Sequence, residues 1–477
     1  MSYPTRTKLY PAVLAVAMAM SLPALSLGQS EEEIRRKIIE DLKPIIEQEV
    51  QRRVSEALAQ QQKQPGQPPA TPASSAQGSS TGWSPADPIT LARSGSGQAY
   101  INMSVIGDVV IGTSTTPDIE ELLNQHHHDP HQRGFNLTGL ELTLDGAVDP
   151  YFKGLATISL VLEPQGETVI ELEEAWLQTV SLPANLQLRA GQIIADFGRQ
   201  NPQHNHTWSF VDAPIVSTRM FGPDGLRNPG VRLSWLAPLP VYTELMLGVY
   251  NSNGGTAFSF RGGEGHEHSG AEEEGHGSPI HGGEPVDGGV HNLGDLLYVP
   301  RLQTSFDLTD TQTLLLGASA AFGPNDSGPD ADTQIYGTDL YWKWRPVNAK
   351  NGFPFVSWQT EAMYRRYEAA RREHDEDEIL PAETLGDWGI YSQVLWGFTR
   401  GWVLGLRGEF ATGDDAEYDS ELRIDRTRVS PNVTWYPTEF SKIRLQYNLD
   451  HLQAIGDEHS IWMQFEFVLG AHAAHKF

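Results

Sequence analysis

In residues 460–477 (SIWMQFEFVLGAHAAHKF), Ile461, Met463, Phe465, Phe467, Leu469, Ala471 and Ala473 occupy every second position. Trp462, Gln464, Glu466 and His472 fill most of the alternate ones. Successive side chains of a strand point to opposite sides, so alternation of this length requires a strand with one apolar and one wet face. Comparable segments recur from Ala99 onward, centred on 101–111, 134–148, 151–162, 169–181, 185–197, 230–236, 241–251, 298–308, 313–322, 334–345, 355–367, 387–398, 402–412, 422–436, 441–451 and 460–477. That makes sixteen strands. The connections after the even-numbered ones are short, and most of the others are long. An even strand count, with short turns at one end and long loops at the other, predicts an all-β, antiparallel transmembrane barrel over 99–477.

The rest of the composition agrees. Only 39% of the chain is hydrophobic, and no run of eighteen apolar residues follows the N-terminal region. Spanning helices are therefore not expected, whereas barrel strands need only one apolar face. Trp342, Trp344, Phe353, Phe355, Trp396, Phe398, Trp402, Trp435, Tyr436 and Phe440 flank three successive short turns, as rings in a headgroup-level girdle would. The net charge of −27 argues against a nucleic-acid partner. With no cysteine, disulfides and thiolate metal sites are excluded.

Three segments precede the barrel. Residues 1–28 have the form of an export signal: Arg6 and Lys8, then an apolar stretch, then Ser26 and Gly28 before the expected cleavage point. Residues 29–59 form a helix candidate with a Ser30/Glu33 capping box and a stripe of Ile34, Ile38, Leu42, Ile45, Ile46, Val50, Val54 and Leu58. One amphipathic helix and a short coiled coil fit it equally. Residues 60–98, rich in Gln, Pro, Ala, Ser and Gly, form a linker.

In a wide barrel the functional groups are those facing the lumen and those on the loops. Alternation turns Glu141, Asp145, Glu171 and Glu173 inward from strands two to four. It turns Lys343, Glu361, Arg365, Arg407, Glu409, Arg426, Arg428 and Arg444 inward from strands ten to fifteen. Opposed acidic and basic walls would set up a transverse field that selects permeating solutes. The alternative is that these groups pair across strands. Residues 199–228 form the third outer loop, and Trp208, Phe210, Val211, Ile215, Val216, Met220 and Phe221 make it too apolar to stand in water. It is expected to fold into the barrel, with Asp212, Arg219, Asp224 and Arg227 lining a constriction. A folded extracellular cap is the other possibility.

Sixteen histidines crowd the outer side, apart from His472 and His475. His126, His127, His128 and His131 stand with Asp129 in HHHDPH, and His204 and His206 lie in the third loop. His266, His268, His276, His281 and His291 share a glycine-rich loop with Glu264, Glu267, Glu272, Glu273 and Glu274. Imidazole with carboxylate suits zinc, copper or nickel. The flexible spacing predicts weak capture of divalent cations near the pore mouth, with no cofactor required. Polar low-complexity loops are the plainer explanation. No Gly-x-Ser-x-Gly or His-Glu-x-x-His motif occurs, and Ser357 and Ser392 have no histidine beside them in sequence, so an enzyme is not expected.

The terminal aromatic Phe477 resembles the C-terminal signal of bacterial outer-membrane barrels, and residues 99–477 as a whole resemble outer-membrane porins. A helix, a linker and then a barrel are similar to the layout of the phosphate-selective porin superfamily. VDPYFKGLATISL, IELEEAWLQTVSLPANLQLRAGQIIADFGRQNPQH and GPDGLRNPGVRLSWL resemble a porin-like group with His-rich loops, some members of which are called zinc-regulated. The sequence departs from the phosphate-selective members in having no arginine ladder and no lysine-rich constriction loop. The resemblance implies a homotrimeric outer-membrane channel in contact with lipid, for passive diffusion of small solutes or metal ions. An occluded barrel tethered to periplasmic partners is the alternative.

Overall fold

The computed structural model describes residues 87–470, apart from 95–98, 164–165, 263–277, 287, 375–377, 419 and 454. The export signal, the helix candidate, most of the linker, the terminal Phe477, and His266, His268, His276, His472 and His475 lie outside the described residues.

Sixteen strands form one closed antiparallel sheet. They are β1 (Tyr100–Ser114), β2 (Gly134–Ala147), β3 (Phe152–Leu162), β4 (Thr168–Thr179), β5 (Leu186–Ile194), β6 (Arg227–Leu236), β7 (Tyr242–Asn251) and β8 (Leu296–Thr309). The circuit continues with β9 (Gln312–Pro324), β10 (Asp332–Trp344), β11 (Phe355–Ala369), β12 (Glu383–Thr399), β13 (Trp402–Gly413), β14 (Arg426–Thr438), β15 (Ser441–Leu452) and β16 (Gly456–Leu469). Each pairs with the next, and β16 closes on β1 from Ser460↔Ser114 to Leu469↔Val105. Every expected strand is present. One segment differs: Ile89–Arg93, placed in the linker by its surroundings, is a short strand paired with β1 at Tyr100–Met103. It continues the edge of β1 beyond the last residue of β16.

Exposure fixes which face is which. On β15, Leu445, Tyr447 and Leu449 are 44%, 39% and 37% exposed, whereas Arg444, Gln446, Asn448 and Asp450 are at most 1%. Ile461, Met463, Phe465 and Phe467 of β16 are likewise exposed, and Trp462 between them is buried. An apolar outside around a polar inside inverts the pattern of a water-soluble protein, and only lipid makes such an outside favourable. Of the expected girdle rings, Trp396, Phe398, Trp402, Trp435 and Tyr436 stand exposed on the same outside, with Trp402 stacked on Trp435 at 5.8 Å, whereas Phe355 is in phase with buried Ser357 and Gln359 and turns inward. No described helix is long and apolar enough to cross a membrane, as expected of a protein that crosses with strands.

Outer connections turn back into the barrel, and two of them carry α-helices. The 115–133 connection carries α1 (Ile119–Leu122), and the 195–226 connection carries α2 (Ile215–Phe221). The second enters through a tight turn at Gly198, whose φ of +60° favours glycine and where a Cβ would sit 2.5 Å from a Glu361 oxygen. Once inside, it has its own apolar core. Phe197, Val216, Met220, Phe221 and Leu226 lie against Ile193, Tyr250, Phe260, Leu297, Ile335, Met363 and Tyr391 of the surrounding wall and loops. Glycines on the inner wall make room for it: a Cβ at Gly337 would strike Phe197, and one at Gly389 would strike Val216.

Candidate functional site: the lumen and its inner loops

Residues 206–212 run across the inner wall, and that wall binds their backbone almost step by step. Lys442 donates to the His206 carbonyl at 2.7 Å, Arg444 to that of Trp208 at 2.8 Å, and Asn432 to that of Ser209 at 2.9 Å. The Val211 N–H donates to Gln446 at 2.8 Å, and Arg407 donates to the Asp212 carbonyl at 2.9 Å. A chain laid inside a barrel has no strand partner, so its polar groups need such side chains. Supplying them is what these basic residues do here.

Asp212 is the centre of the arrangement and is fully buried. One carboxylate oxygen accepts from Arg407 and from Gln446, the latter at 2.9 Å. The other accepts from Arg428 at 3.0 Å and Asn448 at 2.7 Å. Arg428 also meets Asp450, as does Arg426, and both arginines donate to the Leu123 carbonyl just after α1. Glu409 accepts the Ile215 N–H at the start of α2, at 2.7 Å. Arg365 donates to the Arg219 carbonyl at 3.0 Å and forms an ion pair with Asp387. Glu361 accepts the N–H groups of Arg199 and Gln200. Arg219 turns away from open space and donates to the carbonyls of Arg423 and Ile424.

The acidic wall is occupied in the same way. A bulge in β4 leaves Glu173 without a partner in the register, so Glu173 and Glu174 both face inward. His204 contacts Glu173 at 2.7 Å and Glu174 at 3.3 Å, and His206 contacts Glu141 at 2.8 Å. His128 meets Glu173 at 3.1 Å. His127 lies between Glu171 and Asp224, and Arg227 bonds to both carboxylates. Burial would depress the His127 imidazole, but its bonds to Asp224 and Glu171 outweigh that and raise it to about 10. Burial lowers His126, which lacks such a carboxylate and packs edge-on against Trp208.

Two expectations are corrected by this geometry. Opposed charged rows do not face each other across open water. The acidic row is matched by imidazoles of the inner loops, the basic row by Asp212, Asp387, Glu409 and Asp450, and local pairing leaves little transverse field. HHHDPH is not a loose surface loop either. His128 and Asp129 are buried, and Asp129 accepts the Ala213 N–H at 2.9 Å, tying the two inner loops together. The His131 ring sits 2.8 Å from the His126 carbonyl and 3.8 Å from a Glu120 carboxylate oxygen. His281 is fully buried beside Asp326 and Tyr367, apart from the other clusters. Asp145 and Lys343 stay half-buried, and neither is tied to an inner loop by a hydrogen bond or ion pair described in the structure.

Several groups escaped the site reading of the sequence. Glu174 was hidden by the bulge, which strict alternation cannot register. Asp339 and Arg301, paired at 2.7 Å, and Arg232 and Asp196, paired at 2.7 Å, lie in phase with the inward residues of their own strands or just beyond them. Ser392 is on the outer face, bonded to Trp358 and Thr360.

Fold, faces and lumen define an outer-membrane β-barrel of sixteen strands whose interior is partly filled by its own loops. The chain belongs to the same family as an uncharacterized protein of Aquifex aeolicus (strain VF5), to which it is 33% identical over 374 residues, 74% of this chain and 72% of that one. No family model matches it. Among solved structures, the outer membrane channel DcaP of Acinetobacter baumannii aligns with a TM-score of 0.48 and 12% identity, over 79% of this chain and 99% of that one. OmpT of Vibrio cholerae, outer-membrane expressed, aligns at 0.45 and 7%, over 78% and 98%. The anion-selective porin from Comamonas acidovorans aligns at 0.44 and 7%, over 78% and 100%.

Proposed function

We propose that the protein is an outer-membrane channel for passive diffusion of small solutes, with its water path confined to one side of the lumen. One contrast carries this reading. Arg365, Arg407, Arg428 and Arg444 are each 1% exposed behind the inner loops. Arg189, Arg199, Glu244, Gln303, Tyr341 and Lys343, from the β5–β10 side, keep partial exposure. Arg199 lies 3.9 Å above the Tyr341 ring and Arg189 3.9 Å above that of Trp176, so both cations are held in place. Most lumen arginines are committed to ion pairs, which speaks against the anion ladder of a phosphate-selective channel. A homotrimer is the assembly proposed, and the chain's own residues perform no chemistry in this reading.

Purified full-length protein in planar bilayers is expected to give stepwise conductance. Lys343→Glu together with Arg199→Glu should shift the reversal potential in a salt gradient toward cation preference, because both sit where solutes pass. Steps whose selectivity ignored this double change would remove the path from the β5–β10 side. The caged Asp212 favours a second reading, a barrel closed at rest. Silent membranes with the native protein, and steps only after the cage is broken, would select it.

A further inference from the structure

We infer that the junction of the inner loops with β2 and β4 is a binding site for one divalent transition-metal ion, held inside the barrel by His204, Glu173 and Glu141 with His128 and His206 in reach. This goes beyond the channel reading and does not depend on it.

The first observation is a difference in how the wall carboxylates are neutralised. Asp339, Asp387 and Asp450 are each met by arginine, whose charge is permanent. Glu141 and Glu173, 3% and 4% exposed, are met by imidazoles. Imidazole carries charge only with a proton, and its nitrogen exchanges that proton for a metal ion. Those three carboxylates are held by a fixed charge; Glu141 and Glu173 are held by groups that can ligate.

Geometry is the second observation. Ligand atoms of Glu141, Glu173 and His204 all lie within 4.8 Å of one another. His204 Nδ1 is 2.7 Å from a Glu173 oxygen and 3.8 Å from a Glu141 oxygen. Ligands at about 2.0–2.1 Å around a tetrahedral Zn²⁺ stand roughly 3.3 Å apart, between those two values. His206 Nδ1 lies 2.8 Å from the same Glu141 oxygen, and the His204 and His206 rings stack at 5.8 Å. Beside them is a cavity of about 50 Å³ lined by His126, His128, Glu173 and His204, room for an ion or a water.

Two imidazoles, two carboxylates and no thiolate make a borderline donor set that suits Zn²⁺, Co²⁺, Ni²⁺ or Cu²⁺ and disfavours Ca²⁺ and Mg²⁺, which require oxygen. The β4 bulge has a role in this site. It turns Glu173 and Glu174 inward together, so His204 can be ligated from one nitrogen while Glu174, 3.3 Å from the other, holds the ring. A carboxylate on the second nitrogen of a ligating histidine is the usual way such a ring is oriented.

The test uses chelator-stripped, detergent-solubilised full-length protein and two probes, Zn²⁺ by calorimetry and Co²⁺ by visible absorption. One strong equivalent is expected, with Co²⁺ bands of a four- or five-coordinate ion. Glu173→Gln, which keeps the shape, should weaken Zn²⁺ binding roughly a hundredfold or more and erase the bands, since even an outer partner is worth 10–100-fold. His204→Ala should do the same. Removing the exposed rim imidazoles with His451→Ala and His459→Ala should change nothing. Anomalous diffraction from native crystals at the zinc edge gives a reading that needs no variant: the peak should lie between Glu173 and His204. Unchanged affinity in Glu173→Gln, a strong equivalent lost only on deleting 263–277, or an anomalous peak elsewhere would each overturn the assignment. Channel currents play no part in these readings, so this site and the pore stand or fall separately.

Discussion

Replacing Asp212 with alanine is expected to release the third loop from the wall, raise the conductance of each channel and destabilise the barrel by about 3–5 kcal/mol. Removal strands two arginines, Arg407 and Arg428, each 1% exposed and each having Asp212 as a charge partner. It also strips acceptors from Gln446 and Asn448. Some of that loss is softened because Arg428 keeps Asp450 and Arg407 keeps Glu409. Bilayer recording and denaturant unfolding in detergent together read the effect. An unaltered current with an unaltered midpoint would mean that Asp212 holds nothing.

The same residue gives the barrel an acid limb. Burial would raise the Asp212 carboxyl, but Arg407, Arg428, Gln446 and Asn448 outweigh it and hold it at about 2, below the ordinary 3.8. Asp129 nearby is itself raised to about 8 by burial and by Asp212. A value lower in the folded than in the unfolded chain gives stability that is present above about pH 4 and lost as pH falls through about 2. The gap is worth about 2 kcal/mol. Asp212→Asn should flatten the decline in loop docking over that range, whereas the native protein should gain conductance as the solution is acidified.

The second large effect lies on the opposite side of the loop. Phe197 and Phe221 are 0% and 1% exposed, and their rings meet edge to face at 5.0 Å. Phe197→Ala and Phe221→Ala should each cost about 3–5 kcal/mol, because the inner wall cannot collapse onto the gap. Their pairing should add about 0.5–1.5 kcal/mol of coupling in a double-mutant cycle. Both changes should also make open-channel current noisier, since the loop is then held mainly from the Asp212 side. Additive costs with quiet currents would show that the two rings are not in contact.

The strands and their facing were legible because lipid and water impose a strict two-residue period. Leu445 and Arg444 could be assigned to opposite faces without any structure, and the exposures agree. The inward return of the third loop was legible for the same reason, as Trp208, Val216 and Phe221 had to be buried somewhere. The partners were not. Which acid meets Arg407 or Arg428 depends on residues far apart in the chain: Asp212 lies 195 and 216 positions away, a separation that periodicity does not encode. The first loop misled for a different reason. HHHDPH carries few apolar residues, so nothing in its composition showed that carboxylates on β4 would draw it inside. The β4 bulge defeated alternation locally and concealed Glu174.

The most direct measurement places one bond. The chain has no cysteine, so Val216→Cys and Gly389→Cys introduce the only two thiols. A Cβ at Gly389 would stand 3.0 Å from that of Val216, close to the roughly 3.5–4.5 Å span of a disulfide. With α2 seated against β12 inside the barrel, mild oxidant should join the two almost completely in intact membranes. Two free thiols that both react with a bulky, membrane-impermeant maleimide would instead put the third loop outside, and the filled lumen described here would be wrong.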